Sequence, residues 1–267
     1  MSNKKPKKPK YPNEYKEWLK KEHKVEISDR TRTYYESVTS KIKTDFGKSD
    51  FWTQLTENLR EFDSEYRLKT GYPLLAPGFK PGLYIKPFDS FLLKTFKKNI
   101  LENKNWSNEP EGGWILPRNW YSKINDIIRT LFVVKYLDGV EFMIDKIKSI
   151  CEQQGLPCRI FLEAREEGYY AAHLYTKQEF EVPRVTWDTE KIKVSIEIQI
   201  TTQLQEVIRK LLHKYYEEKR KRVKEEDIKW QWNYKSDEFV TNYLGHILHY
   251  VEGMIVEIRE RQKEEIR

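Results

Sequence analysis

In Ile192–Ile200, IKVSIEIQI, every second residue is apolar: Ile192, Val194, Ile196, Ile198 and Ile200 alternate with Lys193, Ser195, Glu197 and Gln199. A β-strand turns successive side chains to opposite faces, so this stretch reads as a strand with one core face and one polar face bearing Glu197 and Gln199. The strand is predicted over Lys191–Ile200. Beyond it, Thr202–Arg220 returns to a period of 3.6 and predicts a helix, with Leu204, Val207, Ile208, Leu211, Leu212 and Tyr215 toward the core. Glu206 and His213, seven apart, share another stripe of that helix. Lys210, one turn on from Glu206, offers it a simple ion pair, and His213 could equally cap or pack. From Ser236, a plausible N-cap, a last helix aligns Phe239, Val240, Tyr243, Leu244, Ile247, Val251 and Ile255 on one face, to dock on the domain or to meet a partner.

Upstream of the strand, Cys158–Glu163 and Tyr170–Thr176 read as two more strands flanking REEG, and Thr130–Tyr136 (TLFVVKY) as a buried strand ended by Asp138-Gly139. A helix from about Val140 to Gln153 follows the last of these, with Phe142, Met143, Ile147 and Ile150 inward. A strand followed by a helix is thus expected there. Earlier still, the pattern is helical from Tyr15 to about Arg67, then broken by the Gly- and Pro-rich TGYPLLAPGFKPGLYIKP. Pro87 suits the first position of a helix reaching about Asn103, since its missing N–H would be unpaired there. Lys86, Ser90 and Lys94, spaced by four, then line up beside its core face of Phe91, Leu92, Phe96 and Ile100. A helix N-terminus with lysines and a hydroxyl suits phosphate, although a solvated lysine face would look the same.

Composition narrows the function classes. Aromatic residues make up 14% of the 267, too many for a disordered chain, and 34% are charged. Lys and Arg exceed Asp and Glu by seven, but residues 1–10, MSNKKPKKPK, supply five of those charges, so basicity is no argument for a DNA partner and none is expected. No apolar run approaches the roughly 18–20 residues that cross a bilayer, and the start lacks the apolar stretch of a signal peptide, so a cytoplasmic protein with no membrane partner is expected. Cys151 and Cys158 have no second pair or nearby His at metal spacing and are expected to be reduced thiols.

Taken in order, the motifs are more specific than any one of them. Lys86-x3-Ser90-x3-Lys94, Asp126 entering a strand, Arg165-x2-Gly168-Tyr169-x3-His173, Glu197-Ile198-Gln199-Ile200-x-Thr202 and then His213 form a series that resembles the RelA/SpoT synthetase domain, from about Pro81 to Arg220. REEGYYAAH is similar to the family's K-x-x-G-Y-x-S-L-H, and SIEIQITT followed by LLHKYY is similar to E-I-Q-I-R-T followed by L-E-H-K-x-Y-Y. The resemblance implies an α/β (α+β) fold, a mixed β-sheet flanked by helices, akin to nucleotidyltransferases. It also implies a pyrophosphokinase that moves the β,γ-diphosphate of ATP to a 3′-hydroxyl.

By the same resemblance, Asp126 and Glu197 hold Mg²⁺ and are catalytic, Glu197 also drawing the proton from the attacking hydroxyl. Lys86, Ser90, Lys94 and Arg129 serve ATP. Tyr169 stacks the acceptor base, Arg165, His173 and Gln199 contact the acceptor, and Glu206 and His213 complete the cleft. The expected organisation is a disordered basic tail over 1–11, a helical region over 12–75, the synthetase-like domain over 76–222 and a helical extension over 223–267.

Three departures bear on the substrate. Tyr84 stands where the family has an Arg two residues before the lysine, the G-I-R after the strand-entry Asp is absent although Arg129 is near, and Thr201 replaces the Arg of E-I-Q-I-R-T. No His-Asp hydrolase motif precedes the region, so synthesis alone is expected. That leaves two kinds of relative. Toxic small alarmone synthetases pyrophosphorylate the 3′ CCA end of tRNA and are paired with a protein antitoxin, and the missing arginines and lysine-rich arm favour this type. Small alarmone synthetases proper make (p)ppGpp or (p)ppApp from GDP, GTP or AMP. A catalytically dead sensing module is a third possibility, against which the retention of both Asp126 and Glu197 speaks.

Overall fold

The structure, a computed structural model, describes residues 7–184, 188–211 and 229–266. Four helices lead the chain: α1 (Pro12–His23), α2 (Asp29–Gly47), α3 (Asp50–Glu57) and α4 (Leu59–Thr70). Then follow β1 (Leu83–Ile85), α5 (Phe88–Phe96) with a π turn over Lys97–Leu101, α6 (Trp120–Lys123), β2 (Ile128–Val134), α7 (Asp138–Gln153), β3 (Cys158–Ala164), β4 (Tyr170–Pro183) and β5 (Thr189–Thr202). Helix α8 is described over 203–211, and α9 is Asp237–Ile266. The five strands form one mixed sheet in the order β1-β2-β5-β4-β3, so the α+β fold read from the sequence is the fold observed. Among the described residues no helix is long and apolar enough to cross a membrane.

The chain divides into two compact units. The first comprises Met1–Ser49, Leu83–Arg129 and Lys177–Glu197. Within it α2 buries Tyr35, Val38, Thr39, Ile42 and Phe46, a stripe at helical spacing. Val38, Ile42 and Phe46 each contribute roughly 1.5–3 kcal/mol by leaving water. A second cluster joins Tyr15, Trp18 and Leu19 of α1 to Leu92, Phe96, Ile100 and Leu116. Asn99, fully buried, ties this cluster together: its amide donates to the Tyr15 hydroxyl at 2.8 Å and to the Ile115 carbonyl at 2.9 Å, while the Ile115 N–H donates to its oxygen at 2.9 Å. Burial pushes the Tyr15 phenol up to about 12, against the opposing pull of its hydrogen bonds with Thr95 and Asn99. Asn99→Ala should cost about 3 kcal/mol, because stranding buried groups that were paired costs roughly 1–3 kcal/mol each. Urea unfolding of the variant measures it.

The second unit comprises Asp50–Gly82, Thr130–Thr176 and Ile198–Arg267. Helix α7 buries Met143, Ile144, Ile147, Ile150 and Cys151. It starts at Asp138, two residues before the predicted Val140. Gly139 permits that start: a side chain there would meet Leu74 at 3.1 Å and Val134 at 3.3 Å. Asp63 fastens the Gly/Pro-rich stretch by accepting from the Leu74 N–H at 2.8 Å.

Three sequence readings are revised. Strand β4 runs to Pro183, seven residues beyond the predicted Thr176, since Phe180 and Val182 continue the buried alternation. Helix α8 does not bury its apolar stripe: Gln205 and Glu206 are buried, whereas Leu204, Val207 and Leu211 are exposed. Leu212, Tyr215 and His213 lie outside the described residues, as do residues 1–6 of the basic tail. Helix α9 likewise docks with Thr241, Asn242, Gly245, Glu252 and Arg259 and leaves Val240, Ile247 and Val251 exposed. On the buried polar face Arg259 forms an ion pair with Asp138.

Candidate functional site

In the first unit, Lys86 is fixed by its backbone from two directions. Its N–H donates to the Ile127 carbonyl at 2.8 Å, and its own carbonyl accepts from the Tyr35 hydroxyl at 2.8 Å. The Phe91 N–H donates to the Pro87 carbonyl at 2.9 Å while Pro87 keeps a non-helical ψ of 143°, so α5 begins at Phe88 and Pro87 is its N-cap rather than the first helical residue. Lys94 stands two turns into α5. The two ammonium groups meet on one atom: Lys86 Nζ and Lys94 Nζ are each 2.9 Å from Asp126 Oδ2. Asp126 lies two residues ahead of β2, and its Oδ1 is buried and accepts no hydrogen bond among the described residues. Burial alone would push its carboxyl up, but the charges of Lys94 and Lys86, with their hydrogen bonds, outweigh that and hold it below the usual carboxylate range.

Glu197 of β5, the strand next to β2, is 5% exposed. From Val194 to Ile198 both faces of β5 are buried, so the polar face read from the alternation is enclosed rather than solvated. Ser195 Oγ on that face also lacks a hydrogen-bond partner among the described residues. Ser90 and Arg129 are exposed and are not drawn into the Asp126 cluster.

The second unit holds the other candidates. Strands β3 and β4 pair antiparallel, with Phe161 opposite His173 and Glu163 opposite Ala171. The hairpin is closed by the Arg165 N–H donating to the Tyr169 carbonyl at 3.0 Å, and Gly168 takes a left-handed φ of +75° that favours glycine. Around the turn the side chains form a ring. Arg165 pairs with Glu163 at 2.7 Å, Glu163 is 3.6 Å from His173 Nε2, His173 Nε2 is 3.3 Å from the Tyr169 hydroxyl, and the Arg165 guanidinium lies 5.2 Å from the Tyr169 ring centroid. Glu163 was not singled out from the sequence. Its signal was available, since it is an acidic residue at the end of the predicted strand, two residues before Arg165.

Glu206, 6% exposed, accepts two hydrogen bonds from Arg209, at 2.6 and 2.9 Å, and lies 3.4 Å from Lys210. The Lys210 pairing read from the sequence exists, but Arg209 is the closer partner. Gln199 is half-buried on β5, and Thr201 is buried with its hydroxyl 3.4 Å from the Tyr170 carbonyl. His213 falls outside the described residues.

The arrangement therefore supplies, in one unit, a buried carboxylate flanked by two ammonium groups together with a second buried carboxylate. In the other it supplies a tyrosine ring backed by a guanidinium. No protein-family model matches the chain, and no curated protein does. Solved structures do. The chain is similar to the small alarmone synthetase 1 from Bacillus subtilis, at 15% identity over 88% of this chain and 97% of that one, with a TM-score of 0.52. The same enzyme bound to its product pppGpp matches at 14% identity over 87% and 96%, with a TM-score of 0.52. At such identity the likeness is one of architecture, and the conclusion it carries is that this chain has the mixed-sheet α+β fold of small alarmone synthetase 1.

Proposed function

We propose that the chain is an ATP-dependent pyrophosphokinase that transfers the β,γ-diphosphate of ATP to the 3′-hydroxyl at the CCA end of tRNA. The observation that carries this reading is the convergence of Lys86 and Lys94 on Asp126, whose other oxygen is buried without a hydrogen bond. A triphosphate is the kind of ligand such lysines suit, because phosphoryl-type transfer needs mainly positioning and charge neutralisation.

The donor set fits Mg²⁺. Among the described residues there is no cluster of three or more His, Cys, Asp or Glu, but magnesium is ordinarily held by one or two carboxylates completed by substrate phosphates and water. Asp126 and Glu197 would hold it, with the open Asp126 Oδ1 as one donor. When bound, it neutralises charge on the phosphate oxygens.

In the reaction the 3′-oxygen of the acceptor attacks the β-phosphorus of ATP, the bond from that phosphorus to the oxygen bridging to the α-phosphorus breaks, and AMP leaves. Glu197 takes the proton from the attacking hydroxyl. Lys86 and Lys94 stabilise charge on the donor phosphates. Tyr169 stacks the acceptor base, an interaction worth roughly 1–3 kcal/mol. Arg165 and His173 hold the adjoining phosphate or ribose.

The arginines missing from the family's positions bear on the acceptor. GDP or GTP brings two or three phosphates on its 5′ side, whereas the terminal adenosine of tRNA brings one diester. Thr201 and Tyr84 stand where the family's arginines would be, which leaves fewer positive charges for those phosphates. That supports the tRNA end, whose 3′-hydroxyl, once diphosphorylated, can no longer be aminoacylated. An antitoxin is the protein partner such an activity calls for. The similar fold that carries pppGpp favours free nucleotides as the second reading.

To separate them, the protein is incubated with Mg²⁺ and ATP labelled at the γ-phosphate, with deacylated tRNA, GDP, GTP or AMP in separate reactions. Label on tRNA, lost when the CCA end is removed, is the expected result. Label on free nucleotides alone would make the protein an alarmone synthetase.

A further inference from the structure

Helix α9 meets the turn Arg165–Tyr169 backbone against backbone. A Cβ added at Gly245 would stand 2.2 Å from the Gly168 carbonyl oxygen, and one added at Gly168 would stand 2.3 Å from the Asn242 carbonyl oxygen. Contact this close requires glycine on both sides. Beside it, His246 bridges the two ends of the turn: its Nε2 is 2.9 Å from the Glu166 carbonyl, and its Nδ1 is 2.7 Å from the Tyr170 hydroxyl. A carbonyl only accepts, so Nε2 carries the proton and Nδ1 accepts from the tyrosine. Gln231 adds a hydrogen bond to the Glu166 carboxylate, and the Gln205 amide reaches the Gly245 carbonyl at 3.4 Å. The hairpin does not need these contacts to close, because the Arg165–Tyr169 backbone bond already closes it. They do fix which way the turn points.

We infer that Gly245 and His246 are positioning residues for the acceptor: α9 clasps the turn at Glu166, Gly168 and Tyr170 and thereby sets the direction of Tyr169 and Arg165. The inference rests on the proposed reading of Arg165, Tyr169 and His173 as the acceptor-binding group. A stacking platform works only if its plane is set before the base arrives, and a displacement of one ångström at a reacting group can cost about a hundredfold in rate. The clasp thus gives α9 a role in the chemistry although none of its residues need touch a substrate.

Two measurements test this on the full-length protein with Gly245→Ala, His246→Ala and Tyr170→Phe. In steady-state transfer, the KM for the acceptor should rise about tenfold or more in the first two variants, while the KM for ATP stays within about twofold. In hydrogen–deuterium exchange, amides of residues 165–170 should exchange faster in His246→Ala, while those of α5 stay unchanged, because loosening the clasp opens the turn locally rather than the whole fold. If Gly245→Ala does not fold, Tyr170→Phe, which removes one oxygen, carries both measurements with smaller shifts of the same sign. Unchanged exchange over 165–170, or equal rises in both KM values, overturns the inference. A wild-type protein that transfers label to no acceptor overturns the functional reading instead, and the exchange experiment then decides the clasp alone.

Discussion

Replacing Glu197 by Gln is expected to lower kcat for diphosphate transfer by about a thousandfold, within the range of roughly 10²–10⁴ that a positioned general base contributes. The substitution keeps the shape of the side chain and removes its charge. Since β5 is buried on both faces from Val194 to Ile198, a near-isosteric change is the one the site can absorb without repacking. Folding should therefore persist, and the unfolding midpoint in urea checks that it does. Single-turnover transfer with saturating ATP isolates the chemical step. A variant that keeps kcat within about threefold of the parent removes Glu197 from the catalytic role assigned to it.

The second large effect is expected at Asp126, and its signature is a split. Asp126→Asn deletes the negative charge on which Lys86 and Lys94 converge at 2.9 Å, so both ammonium groups become free to meet phosphate oxygens. Binding of a non-hydrolysable ATP analogue in the absence of divalent cation should hold or tighten, whereas kcat should fall by about a hundredfold or more as the carboxylate's share in neutralising and orienting the phosphates is lost. Lys94→Met should do the reverse to affinity, weakening the analogue. Calorimetric titration reads the first quantity and the transfer assay the second. Loss of analogue binding in Asp126→Asn, with the fold intact, would mean that Asp126 serves to hold the lysines in place rather than to act on the bound nucleotide.

Local pattern was enough to locate much of this. The alternation in Ile192–Ile200 identifies β5 and puts Glu197 on its polar face, whereas the spacing by four that sets Lys86, Ser90 and Lys94 on one helix face does not explain the meeting of Lys86 with Lys94, eight residues on, because Lys86 directly follows β1 and lies outside α5. The two side chains meet because the strand end and the second turn of the helix both reach the residue entering β2. What escaped the sequence was long-range. Arg259 is buried against Asp138, 121 residues earlier, and Gly245 against Gly168, so α9 docks by a polar and glycine stripe that apolar periodicity reads as its outer face. The same holds for α8, where Gln205 and Glu206 face inward and Leu204, Val207 and Leu211 do not. Glu163 was missed because its importance lies in strand register, which sets it opposite Ala171 and near His173.

The central claim is that a diphosphate, not a single phosphoryl group, leaves ATP, and the by-product decides it. With unlabelled ATP, Mg²⁺ and deacylated tRNA, the nucleotides formed are separated and counted against modified 3′ ends. AMP appearing one for one with modified acceptor is the predicted result. ADP as the product, or AMP released with free pyrophosphate and no change to the acceptor, would contradict the account.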